Sequence, residues 1–154
     1  MTERAIISKL DPIFCPTSVA VVGASTRPGT VGNDTAHSAE LSRQAAKLGA
    51  HGILALCPYY SRPGQAGIEA HFRAIAEACE LPQIIYDIPI RTGRKVATDV
   101  LVRLAHEVPN LVGIKDAAGN PGETARLIAA APDDFEVYSG DDGLTLPLLS
   151  VGAV

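Results

Sequence analysis

Five short apolar runs recur at a nearly even interval, and that interval constrains the fold more than any single residue does. The runs cover residues 18–23 (SVAVVG), 52–56 (GILAL), 83–86 (QIIY), 111–115 (LVGIK) and 135–138 (FEVY). Their starts lie roughly 24 to 34 residues apart, the length of a strand plus a returning helix. The first four are nearly all apolar, as expected for strands covered on both faces. The last alternates, which predicts an edge strand.

Helical periodicity fills the gaps. Asp34 or Thr35 can cap a helix carrying Leu41, Ala45 and Leu48 on one stripe, with Gly49 as its stop. Ile68, Phe72, Ile75 and Cys79 repeat that stripe before Pro82, and Thr98 precedes Leu101, Leu104 and Val108 before Pro109. Asn120, Pro121 and Glu123 supply a cap, an N1 proline and a capping-box acid, ahead of Leu127, Ile128 and Ala131. A further helix is expected to begin near Asp142.

The pattern predicts one α/β domain over residues 1–154: five βα units on a parallel sheet, after an N-terminal helix of about eight residues. A complete (β/α)₈ barrel needs roughly 250 residues and rarely fewer than about 200, so 154 residues exclude it. Two architectures remain. One is an open, doubly wound sheet of Rossmann or flavodoxin type; the other is a partial TIM barrel that closes by pairing with another chain. Unpaired strand edges would favour self-association as a homo-oligomer.

Composition removes several functions. Hydrophobic residues make up 47% and charged residues 19%, too apolar and too sparsely charged for a disordered chain. A formal charge of −4 lacks the basic face that nucleic acid requires. No apolar run approaches the ~20 residues of a membrane helix, and the first ten residues lack a signal peptide's apolar segment. The expected compartment is the cytoplasm. Cys15, Cys57 and Cys79 have no metal-type spacing and are expected as buried free thiols. The four histidines (His37, His51, His71 and His106) show no ligand spacing and are expected on the surface or on helix faces. No metal is expected.

Parallel sheets present ligands with the C-terminal ends of their strands. Tyr60, Tyr86 and Lys115 fall at such ends, and Arg91 follows Tyr86. An ordinary lysine has a pKa near 10.4, leaving about 0.04% nucleophilic at pH 7. Desolvation at an apolar strand end would favour the neutral amine that forms a Schiff base. The plainer alternative is a lysine paired with Asp116 or a helix C-terminus. Tyr60 and Tyr86 offer phenolic protons or simple rim packing, and Arg91 offers a bidentate grip on a carboxylate. Asp141 and Asp142 suit a helix start better than a metal. In the turn after the first run, Gly23, Ser25, Gly29 and Gly32 could cradle a cofactor phosphate on free N–H groups. The turn matches neither G-x-G-x-x-G nor a Walker A loop.

Several motifs together resemble the dihydrodipicolinate synthase / N-acetylneuraminate lyase family of class I aldolases. They are Asn33-Asp-Thr-Ala-His37, Pro58-Tyr-Tyr-Ser-Arg-Pro63, Tyr86-Asp-Ile-Pro-Ile-Arg-Thr-Gly93, Val112-Gly-Ile-Lys-Asp116 and Ser139-Gly-Asp-Asp142. The resemblance runs from about Gly32 to Val154, roughly four-fifths of the chain. It implies that Lys115 forms an imine with pyruvate, that Tyr86 transfers protons and that Tyr60 reaches a neighbouring subunit's site. It further implies that Arg91 binds the carboxylate of aspartate semialdehyde, with no cofactor beyond the lysine. Residues ~10–32, including the run SVAVVG and the glycine turn, resemble the start of the CoA-binding domain of acyl-CoA synthetases. That second resemblance implies a fusion with a seam near residues 30–33 and makes CoA a candidate ligand. The family's first two strands and its threonine pair have no counterpart in the sequence. The expectation is therefore a truncated, weakened pyruvate Schiff-base lyase or synthase. An inert recombined chimera and a CoA- or nucleotide-binding module are the alternatives.

Overall fold

The computed structural model describes residues 20–22 and 34–154 of the chain. Five strands lie among the described residues: β1 (Ala20–Val22), β2 (Ile53–Leu56), β3 (Gln83–Asp87), β4 (Leu111–Asp116) and β5 (Glu136–Ser139). Between and after them come α1 (Thr35–Lys47), α2 (Gln65–Ala78), the single turn α3 (Pro89–Thr92), α4 (Thr98–Glu107), α5 (Pro121–Ala130) and α6 (Thr145–Ser150). A 3₁₀ turn, Asp142–Leu144, leads into α6.

The strands are all parallel and lie in the order β1-β2-β3-β4-β5. A doubly wound sheet reverses its strand order at a switch point, and the described strands contain no reversal. Crossovers of one hand, each moving the same way, place successive helices on one face. The doubly wound expectation, with helices on both faces, therefore finds no support.

Packing shows the same asymmetry. Ile53, Ala55, Ile85, Ile114 and Val137 join Ile68, Phe72 and Ile75 of α2, Leu101 and Leu104 of α4 and Leu127 of α5 in one buried cluster. Each fully buried aliphatic or aromatic side chain there contributes about 1.5–3 kcal/mol. Ile84 and Val112 form a separate cluster with Leu54 and Tyr138. These residues alternate with the helix-facing ones and belong to the opposite face.

Buried polar groups tie helices to strands. The Gln83 amide donates to the Ile75 carbonyl in α2 at 3.1 Å. The Asn110 amide donates to Ala76 O at 3.0 Å and Cys79 O at 2.9 Å, satisfying carbonyls that the end of α2 leaves without partners.

Most helix ends carry the expected caps. Asp34 caps α1 by accepting from the His37 N–H at 2.7 Å, and Gly49 ends the segment at φ +83°. Leu48 does not join the buried stripe. It is the C-cap, outside the helical phase, and is 87% exposed. The buried face of α1 is Ser38, Ala39 and Ser42, with Leu41 and Ala45 of the expected stripe partly buried against the core. Asn120 caps α5 through the Glu123 N–H at 3.2 Å, but the Glu123 carboxylate turns to Lys95 and leaves the capping box half formed. Ala97 is the N-cap of α4. Asp141 accepts from the Gly143 N–H at 2.9 Å and starts the 3₁₀ turn, as the helix-start reading expected. Cys57 is buried and Cys79 half-buried, and neither is in a disulfide. Burial, reinforced by the charge of Asp87, pushes the Cys57 thiol up to about 12. No helix among the described residues is long and apolar enough to cross a membrane.

Candidate active site

Parallel pairing aligns Leu56 with Tyr86, Tyr86 with Lys115 and Lys115 with Tyr138. Side chains in register on adjacent parallel strands share a face, so these four form a row across the C-terminal end of the sheet. The row lies on the face away from the main helix-facing core.

An irregularity in β4 puts Lys115 there. Gln83 pairs with Leu111, but Ile84 pairs with Gly113, so Val112 is an extra residue. One inserted residue exchanges the two faces for everything after it. Leu111 and Ile114 consequently both face the helices, and Lys115 stands beside Tyr86. The lysine nitrogen lies 4.3 Å from the centroid of the Tyr86 ring, within the range at which a ring face attracts a cation. Lys115 is half-buried rather than fully dry. Asp116 does not partner it: that carboxylate accepts from Thr124 Oγ1 at 2.6 Å and from the Ala118 N–H at 2.8 Å.

The chain fits closely around the lysine's stem. A Cβ built on Gly140 would lie 3.1 Å from Lys115 Cγ and 3.0 Å from Ala117 Cβ. This gives Gly140 of the SGDD motif a direct packing role.

Behind this row, on the helix side, β3 and β4 end in two buried carboxylates, Asp87 and Asp116, which are also in register. Asp87 is 1% exposed. Its Oδ1 accepts from the Val96 N–H at 3.3 Å, while Oδ2 lacks a hydrogen bond among the described residues and lies 3.9 Å from Lys95 Nζ. Burial pushes the Asp87 carboxyl up to about 7, against the opposing pull of Lys95 and the Val96 N–H. Lys95 also donates to Glu123 at 2.8 Å. It therefore joins Asp87 and Glu123 in one network.

His71 is likewise not a surface residue. At 1% exposure it faces the sheet, with Nε2 3.1 Å from Leu56 O and Nδ1 3.0 Å from Thr35 Oγ1. A carbonyl only accepts, so Nε2 carries the proton and the Thr35 hydroxyl donates to Nδ1. Burial lowers the pKa of this histidine, which favours that neutral form. The ring thus ties α1 and α2 to the last carbonyl of β2, just before Tyr59 and Tyr60.

The structure brings Lys115 and Tyr86 into contact. Tyr60, on the loop after β2, is 71% exposed. Arg91, in α3, is exposed and its guanidinium has no ion pair or hydrogen bond among the described residues. Gly23, Ser25, Gly29 and Gly32, the candidate phosphate cradle, lie outside the described residues. A recess of about 270 Å³ lined by His106, Pro109, Leu111 and Phe135 sits at the N-terminal ends of β4 and β5, the wrong end of the sheet for this chemistry. Sequence reading missed Asp87, although it directly follows Tyr86, and Tyr138, whose alternating strand could have placed it on the lysine's face. Tyr138 donates a hydrogen bond to Glu136 on the same face, and burial, followed by Glu136, raises its pKa.

A lysine stacked on a tyrosine thus stands at the C-terminal rim of a parallel α/β sheet. The sequence model of the dihydrodipicolinate synthetase family matches residues 18–154, and the chain belongs to that family. It is 48% identical over 139 residues to the 4-hydroxy-tetrahydrodipicolinate synthase of Symbiobacterium thermophilum, covering 89% of this chain and 47% of that protein. With the enzyme of the same name from Moorella thermoacetica it shares 49% identity, covering 84% of this chain and 44% of the relative. A solved 4-hydroxy-tetrahydrodipicolinate synthase from Methylacidiphilum fumariolicum SolV superposes with a TM-score of 0.81 at 38% identity, covering 100% of this chain and 50% of that one. A dihydrodipicolinate synthase from Acinetobacter baumannii, complexed with pyruvate, gives a TM-score of 0.78 at 39% identity, covering 99% of this chain and 51% of that one. The chain spans about half the length of the curated relatives it matches.

The family match begins at residue 18. The run SVAVVG and the glycine turn therefore fall within the family's own span, and the expected fusion seam near residues 30–33 loses its basis. A CoA site draws no support from the structure or the relatives.

Proposed function

We propose that this chain carries the imine-forming centre of a 4-hydroxy-tetrahydrodipicolinate synthase, on an arc of five strands from an eight-stranded barrel. The neutral Lys115 amine adds to the keto carbon of pyruvate. The carbinolamine then loses its oxygen as water, leaving a protonated imine on Nζ. Tyr86 is the proton-transfer group, and its ring face receives the iminium cation as it receives the ammonium. Arg91 holds the carboxylate of the incoming aspartate semialdehyde. Tyr60, standing out from the rim, extends the proton relay toward a second copy of the chain in a homo-oligomer. No cofactor is required, since the lysine supplies the electrophilic activation. The activity of the chain alone is weak, because residues acting as a unit lose far more than a proportional share when some are absent.

The observation that carries this reading is the 4.3 Å contact of Lys115 Nζ with Tyr86 at the C-terminal end of adjacent strands. Incubation with pyruvate and borohydride, followed by mass analysis of peptides, tests it. One reduced pyruvate adduct on Lys115, lost in Lys115→Met, is expected. An unmodified Lys115 in the parent chain overturns the reading.

A further inference from the structure

We infer that Gln65 is a positioning residue for carboxylate recognition: its carboxamide splints the loop carrying Tyr60 to the loop carrying Arg91. This rests on the role given to Arg91 above.

Gln65 is the first residue of α2. Its Nε2 donates to the Lys95 carbonyl at 2.9 Å, and its Oε1 accepts from the Ala97 N–H at 2.9 Å. The partners lie 30 and 32 residues further along the chain. In extended backbone the C=O of one residue and the N–H two residues later point to the same side. A primary amide offers one donor and one acceptor at matching separation. Gln65 thus pairs with residues 95–97 much as the peptide group of a neighbouring strand would.

The two loops meet again nearby. Arg94 Nε donates to the Arg62 carbonyl at 3.1 Å. The Arg62 side chain lies so close over Gly93 that a Cβ there would be 2.7 Å from Arg62 Nε. Arg62 itself holds a left-handed backbone at φ +45°, a conformation that needs outside support in a residue of this size. On the inner side, the Val96 N–H bonds Asp87 and Lys95 bonds Glu123. The segment after β3 is therefore held from within by carboxylates and from without by Gln65 and residues 62 and 94.

Arg91 needs that support. Its guanidinium has no partner of its own among the described residues, so its location is set by the backbone of α3 and the segment that follows. Removing Gln65 would take away two hydrogen bonds between the two segments and leave the Arg94–Arg62 bond in place. Losing two hydrogen bonds that set a binding group weakens its ligand about tenfold.

The test uses the whole chain, with succinate as the carboxylate probe and the Arg91 Nε–H resonance as reporter. Gln65→Met keeps the length and removes both bonds; Gln65→Glu keeps the acceptor for Ala97 and loses the donor to Lys95. Succinate affinity is expected to fall about tenfold in Gln65→Met and by an intermediate factor in Gln65→Glu. Amide exchange at Ala97 should speed up in the first and stay slow in the second, while the borohydride-trapped pyruvate adduct forms in all three proteins. Faster exchange at Ala97 with unchanged succinate affinity would make Gln65 purely structural and overturn the inference. Unchanged exchange, or no response of Arg91 to succinate in the parent, would overturn it too. Absence of the pyruvate adduct from all three, with the succinate pattern intact, would instead remove the imine reading and leave the splint standing.

Discussion

Asp87 makes stability fall as pH rises, opposite to the effect of most carboxylates. In the unfolded chain its carboxyl titrates near 3.8, whereas burial raises it to about 7 in the fold. Between those values the native state holds a proton that the unfolded state has released. Stability therefore declines with pH by up to about 1.4 kcal/mol per unit, and the full contribution survives only below the unfolded value. Over the interval this amounts to at most about 4 kcal/mol. Asp87→Asn keeps the acceptor for the Val96 N–H and removes the charge, at the cost of the 3.9 Å pairing with Lys95. The decisive measurement is urea unfolding of both proteins from pH 4.5 to 8.5. The gap between the two curves should widen in favour of Asp87→Asn by about 2–4 kcal/mol as pH rises. Glu40, Glu69 and Glu123 are held below their ordinary values, chiefly by hydrogen bonds to side-chain partners, and their contributions are lost only as pH falls below that range. His71, lowered by burial, contributes stability that is present above its ordinary value and is lost as pH falls through its folded value. Glu40, Glu69 and His71 lie outside the Asp87–Lys95–Glu123 network, so their effects are common to both proteins and cancel in the difference. Parallel curves would refute the reasoning.

Two glycine substitutions probe the sheet near the lysine. In Gly140→Ala the new methyl meets Lys115 Cγ and the Asp116 carbonyl, both at 3.1 Å. Overpacking of this kind costs about 1–3 kcal/mol, and the rate of pyruvate trapping should fall about tenfold; an unchanged rate would deny Gly140 its packing role. In Gly113→Ala the methyl would lie 2.5 Å from the Glu136 carbonyl oxygen, which is backbone and cannot swing away. β4 and β5 must separate, so thermal unfolding should show a loss of about 3 kcal/mol or more, and a melting point equal to the parent's would contradict that geometry.

Much of the molecule could be read from the chain because its signals are local. The runs at 52–56, 83–86, 111–115 and 135–138 became strands within a residue or two, since each is a short apolar segment between well-marked stops. Asp34, Gly49 and Asn120 acted as written, through hydrogen bonds or backbone freedom close at hand. The winding of the sheet was not legible, because strand order depends on crossover direction and not on any residue's preference. Leu48 misled because helical phase ends at the cap. The burial of Asp87 and His71 was not legible for a different reason. Their partners lie eight or more residues away, and only the folded arrangement reveals that both are buried. The lysine's placement beside Tyr86 depends on the single extra residue at Val112, which no periodicity marks.

The consecutive strand order also governs how the protein assembles. Each unit docks against the one made just before it, so no pairing of strands has to wait for a distant stretch of chain. Such a structure behaves like a one-dimensional array whose cohesion comes from adjacent units. Ordering can begin at the long β3–β4 seam and spread outward, while melting starts at the ends. Native-state hydrogen exchange should accordingly protect Ile85 and Ile114 longest and release the outermost strands first.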